Sequence, residues 1–162
     1  MANPRTDTTN LPRLGQGFYW QDLEVGQRFR TFRRTVTETD LVNFIGVTGM
    51  LEAIFIDAYY EEGAIPGRPV PAVLTYSLIE GLLLQSMIQG TGLASLEVHK
   101  KVLKSVMVGD TVFAEVEITG LRPTSKGNRA IVTSQVDIYN ERDEQVITYT
   151  VTRMLAGRPG AQ

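Results

Sequence analysis

The sequence predicts an α+β domain in which an antiparallel five-stranded sheet wraps around one long central helix, and three observations carry that reading. Residues 69–89, PVPAVLTYSLIEGLLLQSMIQ, are apolar on nearly every side at the helical period, through Val73, Leu74, Leu78, Ile79, Leu82, Leu83, Leu84, Met87 and Ile88. A soluble helix with so broad an apolar belt has to be covered, and a curled sheet can cover it. After Gly90-Thr91-Gly92, four β-like runs follow over 93–108, 111–121, 130–139 and 145–155, separated by turn-formers. A further strand-like run over 28–36 precedes the helix. Consecutive strands joined by short turns pair antiparallel.

In chain order, residues 1–17 read as an arm that is disordered or hugs the surface, 18–156 as one domain, and 157–162 as a tail. Phe18-Tyr19-Trp20 opens the folded part and 24–27 is a turn. Thr37-Glu38-Thr39-Asp40 starts a short helix, with Thr37 as N-cap and Asp40 reaching back from the third helical position. Leu41, Phe44 and Ile45 give that helix its buried face. Residues 46–67 are irregular, with a short helix starting near Asp57. Within the long helix, Gly81 costs about 1 kcal/mol relative to alanine, and its expected use is close approach to a covering strand. Leu78 and Leu82 share one face, expected to lie under the sheet. Over 111–121, Val112, Ala114, Val116 and Ile118 alternate with Phe113, Glu115, Glu117 and Thr119.

Composition narrows the function. The 162 residues suit one domain with a real core, and a formal charge of -2 argues against nucleic-acid binding through overall charge. The absence of cysteine excludes disulfides, thiolate metal sites and a cysteine nucleophile, and the single histidine, His99, excludes any site that needs two. No metal or redox cofactor is implied. Residues 1–17 contain no apolar signal-peptide core, so a cytoplasmic location is expected. The long apolar run is interrupted too often to make a good membrane span.

Three segments carry a family resemblance. FYWQDLEVGQRF (18–29), TVTETDLVNFIGVTG (35–49) and LKSVMVGDTVFAEVEI (103–118) resemble the opening, the segment before the catalytic loop, and a Gly-Asp strand turn of MaoC-like dehydratases, the (R)-specific enoyl-CoA hydratase group. The resemblance spans about 18–155 and implies a hot-dog fold, an acyl-CoA thioester as substrate, hydratase or dehydratase (lyase) chemistry, and a homodimer or a multiple of it. In that family the motif Gly-Asp-x-Asn-Pro-x-His-x-Asp supplies an Asp and a His that activate water. Laid on Gly49, the motif reads GMLEAIFID here. Met50 replaces the Asp and Phe55 the His, and only the final Asp57 remains. Neither Met nor Phe can move a proton.

Two carboxylates in this stretch, Glu52 and Asp57, could substitute, since burial among Met50, Leu51, Ile54 and Phe55 would raise a carboxyl pKa toward the useful range. Against this, Asp57 also suits an N-cap before Ala58, and Glu52 a solvated surface. Glu80 is a third carboxylate, better read as hydrogen-bonded to a neighbouring loop. The family's His-Gly pair at the start of the core helix becomes Pro71-Ala72, and the Ala72 N–H could still polarise a thioester carbonyl. Proline there is also an ordinary helix start. Arg33 and Arg34, in a cluster with Arg28 and Arg30, and Lys101 and Lys104, beside Lys100, are candidate contacts for the coenzyme A phosphates or else solvated strand faces. His99 is expected to be exposed. Three functions stay open: a hydratase or dehydratase with a rebuilt site, an acyl-thioester-binding or structural subunit without catalysis, and a hot-dog thioesterase using one carboxylate.

Overall fold

The computed structural model describes residues 11–160. After a 3-10 turn over Trp20–Asp22, the elements are β1 (Arg28–Arg30), β2 (Arg34–Thr35), α1 (Glu38–Thr48), α2 (Ala53–Ile56), α3 (Ala72–Gln85), β3 (Gly92–Val102), β4 (Thr111–Pro123), β5 (Arg129–Tyr139) and β6 (Gln145–Ala156). The strands form one antiparallel sheet in the order β1-β4-β5-β6-β3, with β2 also on β4. This is the α+β hot-dog arrangement: a sheet wrapped around the α3 helix.

The sheet has six strands rather than five, because the run expected over 28–36 breaks after Arg30. Arg30 lies opposite Glu115 and Arg34 opposite Val112, so four steps on one strand match three on the other. The extra residue makes a bulge. Thr31 holds it: its hydroxyl accepts from the Ala114 N–H at 2.9 Å, where a ladder would use a backbone carbonyl. Phe32 is thereby turned out to solvent, 89% exposed.

Alternation places the core. Ala130, Val132, Val136 and Ile138 on β5, and Ile147, Tyr149, Val151 and Leu155 on β6, point inward with Val112, Ala114, Val116 and Ile118 of β4. From α3 they meet Leu74, Ile79 and Leu83. Leu78 and Leu82, expected on the covered face, are only half-buried, so the covered stripe is rotated from the one anticipated. Gly81 serves no close approach either: a Cβ there would meet nothing within 4 Å.

Both ends of α3 stop short of the apolar run. At the front, Val70 N–H bonds the Val106 carbonyl at 2.9 Å and Pro69 bridges Met107, leaving Pro71 as N-cap. These pairings also end the expected 93–108 strand at Val102 and send 103–108 across to the helix entry. At the back, the Ser86 hydroxyl donates to the Leu82 carbonyl at 2.6 Å while Met87 and Ile88 stay buried in a turn. Gly17 lies along that turn, donating to the Gln89 carbonyl at 2.8 Å. A Cβ on Gly17 would fall 2.5 Å from the Gln89 nitrogen, so only glycine lets the chain lie so close. The start of the expected tail is also tied down: Gly157 N–H bonds the Asn128 carbonyl at 2.7 Å, and Arg158 pairs with Asp22.

The capping box of α1 forms as read. Asp40 N–H donates to the Thr37 hydroxyl at 3.2 Å, and Thr37 N–H to Asp40 Oδ2 at 2.9 Å. Burial pushes the Asp40 carboxyl up, but the Thr37 hydrogen bonds and the Arg34 guanidinium outweigh it and hold the pKa below its ordinary value. The β3 strand is one edge of the sheet: among the described residues it pairs only with β6, and every residue of it is exposed.

Candidate active site

The front of α3 is where the sequence placed its chemistry, and the local folding there follows from a few residues. Helix α1 ends at Gly49, whose left-handed φ of 73° and N–H bond to the Ile45 carbonyl at 2.9 Å close it in the usual glycine manner. The chain then turns through Met50 and Leu51 into the single-turn α2. Two residues of α2, Ile54 and Phe55, reach the front of α3. With Ile65, Val70, Pro71, Ala72, Val102, Val106 and Ile147 they line an apolar pocket of about 210 Å³.

The polar groups on this pocket are few: the Thr75 and Ser105 hydroxyls, Lys104, and the backbone of the first turn of α3. Pro71 provides no side-chain cap, and among the described residues the Ala72 and Val73 amides have no acceptor. The first turn of a helix gathers free N–H groups and the positive end of the helix dipole, a setting suited to a carbonyl oxygen gaining negative charge. Ala72 is the first residue of α3 and lines the pocket. Lys104 is held at the rim by Glu144, 2.6 Å from its ammonium. Lys104 first, then Asn140 and Arg142, pull the Glu144 carboxyl down to about 2.

Glu52 and Asp57 do not line the pocket. Each sits at one end of α2, exposed, with its carboxylate on a backbone amide. Glu52 is the N-cap, accepting from Ile54 N–H at 2.9 Å. Asp57 caps no helix beginning at Ala58: it follows α2 as C-cap and accepts from Tyr59 N–H at 2.9 Å. Short polar side chains such as aspartate favour local bonds of this kind at turns, which explains the placement of Asp57. Phe55, by contrast, lines the pocket.

The other cations disperse. Arg34 pairs with Asp40 at 2.8 Å, and the Arg33 guanidinium lies 5.7 Å from the centre of the Phe113 ring. Lys101 is exposed on β3 beside His99, whose Nε2 is 2.9 Å from Glu97. Of Arg33, Arg34, Lys101 and Lys104, only Lys104 borders the pocket. Glu80 is structural, but its partners are on β6 rather than in a loop. Its Oε1 accepts from Tyr149 Oη and from Arg153 Nη2, both at 2.6 Å. Burial first, and the neighbouring Glu80 charge next, push the Tyr149 hydroxyl well above its ordinary pKa.

Sequence reasoning passed over Thr75 and Arg153. Period-two reading of 145–155 would have put Arg153 on the inward face with Tyr149 and Val151. For Thr75 the only signal was a hydroxyl in the first turn of a helix that is otherwise nearly all apolar.

These features define a hot-dog domain with an apolar pocket at the open front of its central helix. No family model and no curated protein matches the chain by sequence. Among solved structures, it resembles the MaoC-like dehydratase from Rhodospirillum rubrum, with TM-score 0.79 and 24% identity over 88% of this chain and 99% of that one. The (R)-hydratase from A. caviae involved in PHA biosynthesis gives TM-score 0.68 and 26% identity, covering 82% of this chain and 97% of that one. A conserved hypothetical protein from Mycobacterium tuberculosis with a double hotdog fold gives TM-score 0.77 and 19% identity over 93% of this chain but only 47% of its own length. Among the described residues no cluster of three or more His, Asp or Glu could hold a metal ion, and no helix is long and apolar enough to cross a membrane.

Proposed function

We propose that the chain binds an acyl thioester of the acyl-CoA class as a hot-dog protein of the MaoC-like hydratase and dehydratase type, and that its own pocket holds and polarises the thioester without supplying the proton transfer. The observation that carries this is the composition of the pocket. Ala72, whose amide has no acceptor among the described residues, lines an apolar cavity together with Phe55, while neither Glu52 nor Asp57 lines it. An acyl group gains from burial against such a lining at roughly 25 cal/mol per Å², and its carbonyl can accept from Ala72. Lys104 is the cation beside the pocket for a coenzyme A phosphate. A thioesterase has less support, since among the described residues no carboxylate lines the cavity.

The hydratase reading keeps one specific observation in its favour. Glu52 and Asp57 bracket α2, whose Ile54 and Phe55 form part of the pocket wall, so a small rearrangement of this single turn would bring a carboxylate toward it. The unpaired β3 edge supports a homodimer. Open edges attract another strand, and this one exposes Leu93, Leu96, Val98 and Val102. Antiparallel pairing of two β3 strands about His99 would set Glu97 against Lys101 and Leu96 against Val102, a self-complementary register.

The test is calorimetric binding of crotonyl-CoA together with an assay of its hydration, on the wild type, Glu52→Gln and Asp57→Asn. Binding without turnover in all three is the expected result. Turnover that falls by roughly 10²–10⁴-fold in either variant, the range for a general base, would replace the binding reading with the hydratase one. No binding by the wild type would overturn both.

A further inference from the structure

Among the described residues, the Thr75 hydroxyl is the one polar side chain at the front of α3 that is both fully buried and without a hydrogen-bond partner. Thr75 is 0% exposed and lines the apolar pocket. A threonine inside a helix ordinarily returns its hydroxyl proton to the carbonyl four residues back. Here that carbonyl belongs to Pro71, and it already receives the Leu74 amide at 2.8 Å and the Thr75 amide at 3.4 Å. A buried hydroxyl left unpaired is costly, so such a group in a binding cavity points to a ligand atom that completes it. Side chains on a helix lean toward its N-terminus, which sets the Thr75 side chain over the turn that begins at Ala72. The unclaimed Ala72 and Val73 amides are in that turn.

Resting on the acyl-thioester reading above, we infer that Thr75 is a substrate-binding residue whose hydroxyl donates to the thioester carbonyl oxygen, making a second donor beside the Ala72 amide. Ala72 has a Cβ where the resembling family has glycine, which limits how closely a thioester approaches that amide. A donor on a side chain one turn further along reaches the same oxygen from within the pocket. The arrangement also sets chemical specificity: an acyl-CoA with its carbonyl satisfies both donors, and a thioether of the same length satisfies neither.

The experiment compares butyryl-CoA with S-butyl-CoA, which lacks the carbonyl, by calorimetric titration of the wild type, Thr75→Val and Thr75→Ser, with thermal melts of each. The valine variant should bind butyryl-CoA about five- to tenfold more weakly, the loss of one hydrogen bond, and bind S-butyl-CoA as the wild type does. Thr75→Ser should restore butyryl-CoA binding, and Thr75→Val should melt no lower than the wild type, because it removes an unpaired buried group. Equal butyryl-CoA affinity in wild type and Thr75→Val would overturn the inference while leaving the thioester reading intact. Equal weakening toward both ligands would overturn it in favour of a packing role. A wild type that binds neither ligand would overturn the thioester reading itself and this inference with it. Should Thr75→Val fail to fold, the wild-type preference for butyryl-CoA over S-butyl-CoA and its retention in Thr75→Ser decide the matter, and no preference would refute it.

Discussion

Replacing Glu80 by Gln tests whether the charge cluster under β6 is held together by a single carboxylate. Glu80 Oε1 accepts at 2.6 Å from both Tyr149 Oη and Arg153 Nη2, and Oε2 accepts from the same Nη2 at 2.6 Å. The Arg153 side chain is only 7% exposed and that of Glu80 17%. Glutamine keeps the shape and one acceptor but leaves a guanidinium buried without a counter-charge. Breaking a buried pair from one side costs about 3–5 kcal/mol, a large share of the roughly 5–15 kcal/mol that holds a typical domain together. Arg153→Met should cost less, since the Glu80 side chain it strands is more exposed than that of Arg153, 17% against 7%. The double variant Glu80→Leu with Arg153→Met removes both charges together and should recover much of the stability lost in Glu80→Gln. Urea denaturation of the four proteins, read by far-ultraviolet circular dichroism, gives the midpoints. A Glu80→Gln midpoint equal to that of the wild type, or a double variant no more stable than Glu80→Gln, would refute the reasoning.

Two further expectations concern the pocket rim and the open edge. Glu144 is held down to about 2, with Lys104 the first cause, so its contribution to stability is present above the ordinary carboxylate pKa and is lost as the pH falls through that range toward 2; an NMR titration of the Glu144 carboxyl should show its midpoint rising in Lys104→Met. For the β3 edge, sedimentation at micromolar concentration should give a dimer, and the double substitution Leu96→Lys with Val102→Lys, which sets like charges opposite each other, should give a monomer that keeps the wild-type circular dichroism.

What could be read from the sequence was whatever depends on local repetition. The α1 capping box needs only Thr37 and Asp40 at the right spacing, and the strands announce themselves by alternation. The bulge at Thr31 was hidden because it depends on one hydroxyl finding Ala114, 83 residues away. Likewise the buried face of α3 could not be fixed within a run apolar nearly all round; the sheet selects Ile79 and Leu83 over Leu78 and Leu82. At the site, that Met50 and Phe55 cannot move a proton was plain from their side chains alone. The positions of Glu52 and Asp57 were not. Whether a carboxylate faces a cavity or a neighbouring amide is decided by one turn of backbone, and at the two ends of α2 the amides of Ile54 and Tyr59 win.

The close seat of Gly17 against the Met87–Gln89 turn has a practical consequence for handling the molecule. The chain enters the domain there, behind the rear of α3, and leaves it at Gly157 beside Asn128, next to where β6 meets Thr91. The pocket lies at the other pole, since the 14 residues of α3 separate the two by about 20 Å. A biosensor chip gripping the protein through a handle added ahead of Gly17 or beyond Gly157 would therefore present the pocket outward, and affinities read on such a surface should agree with those measured free in solution.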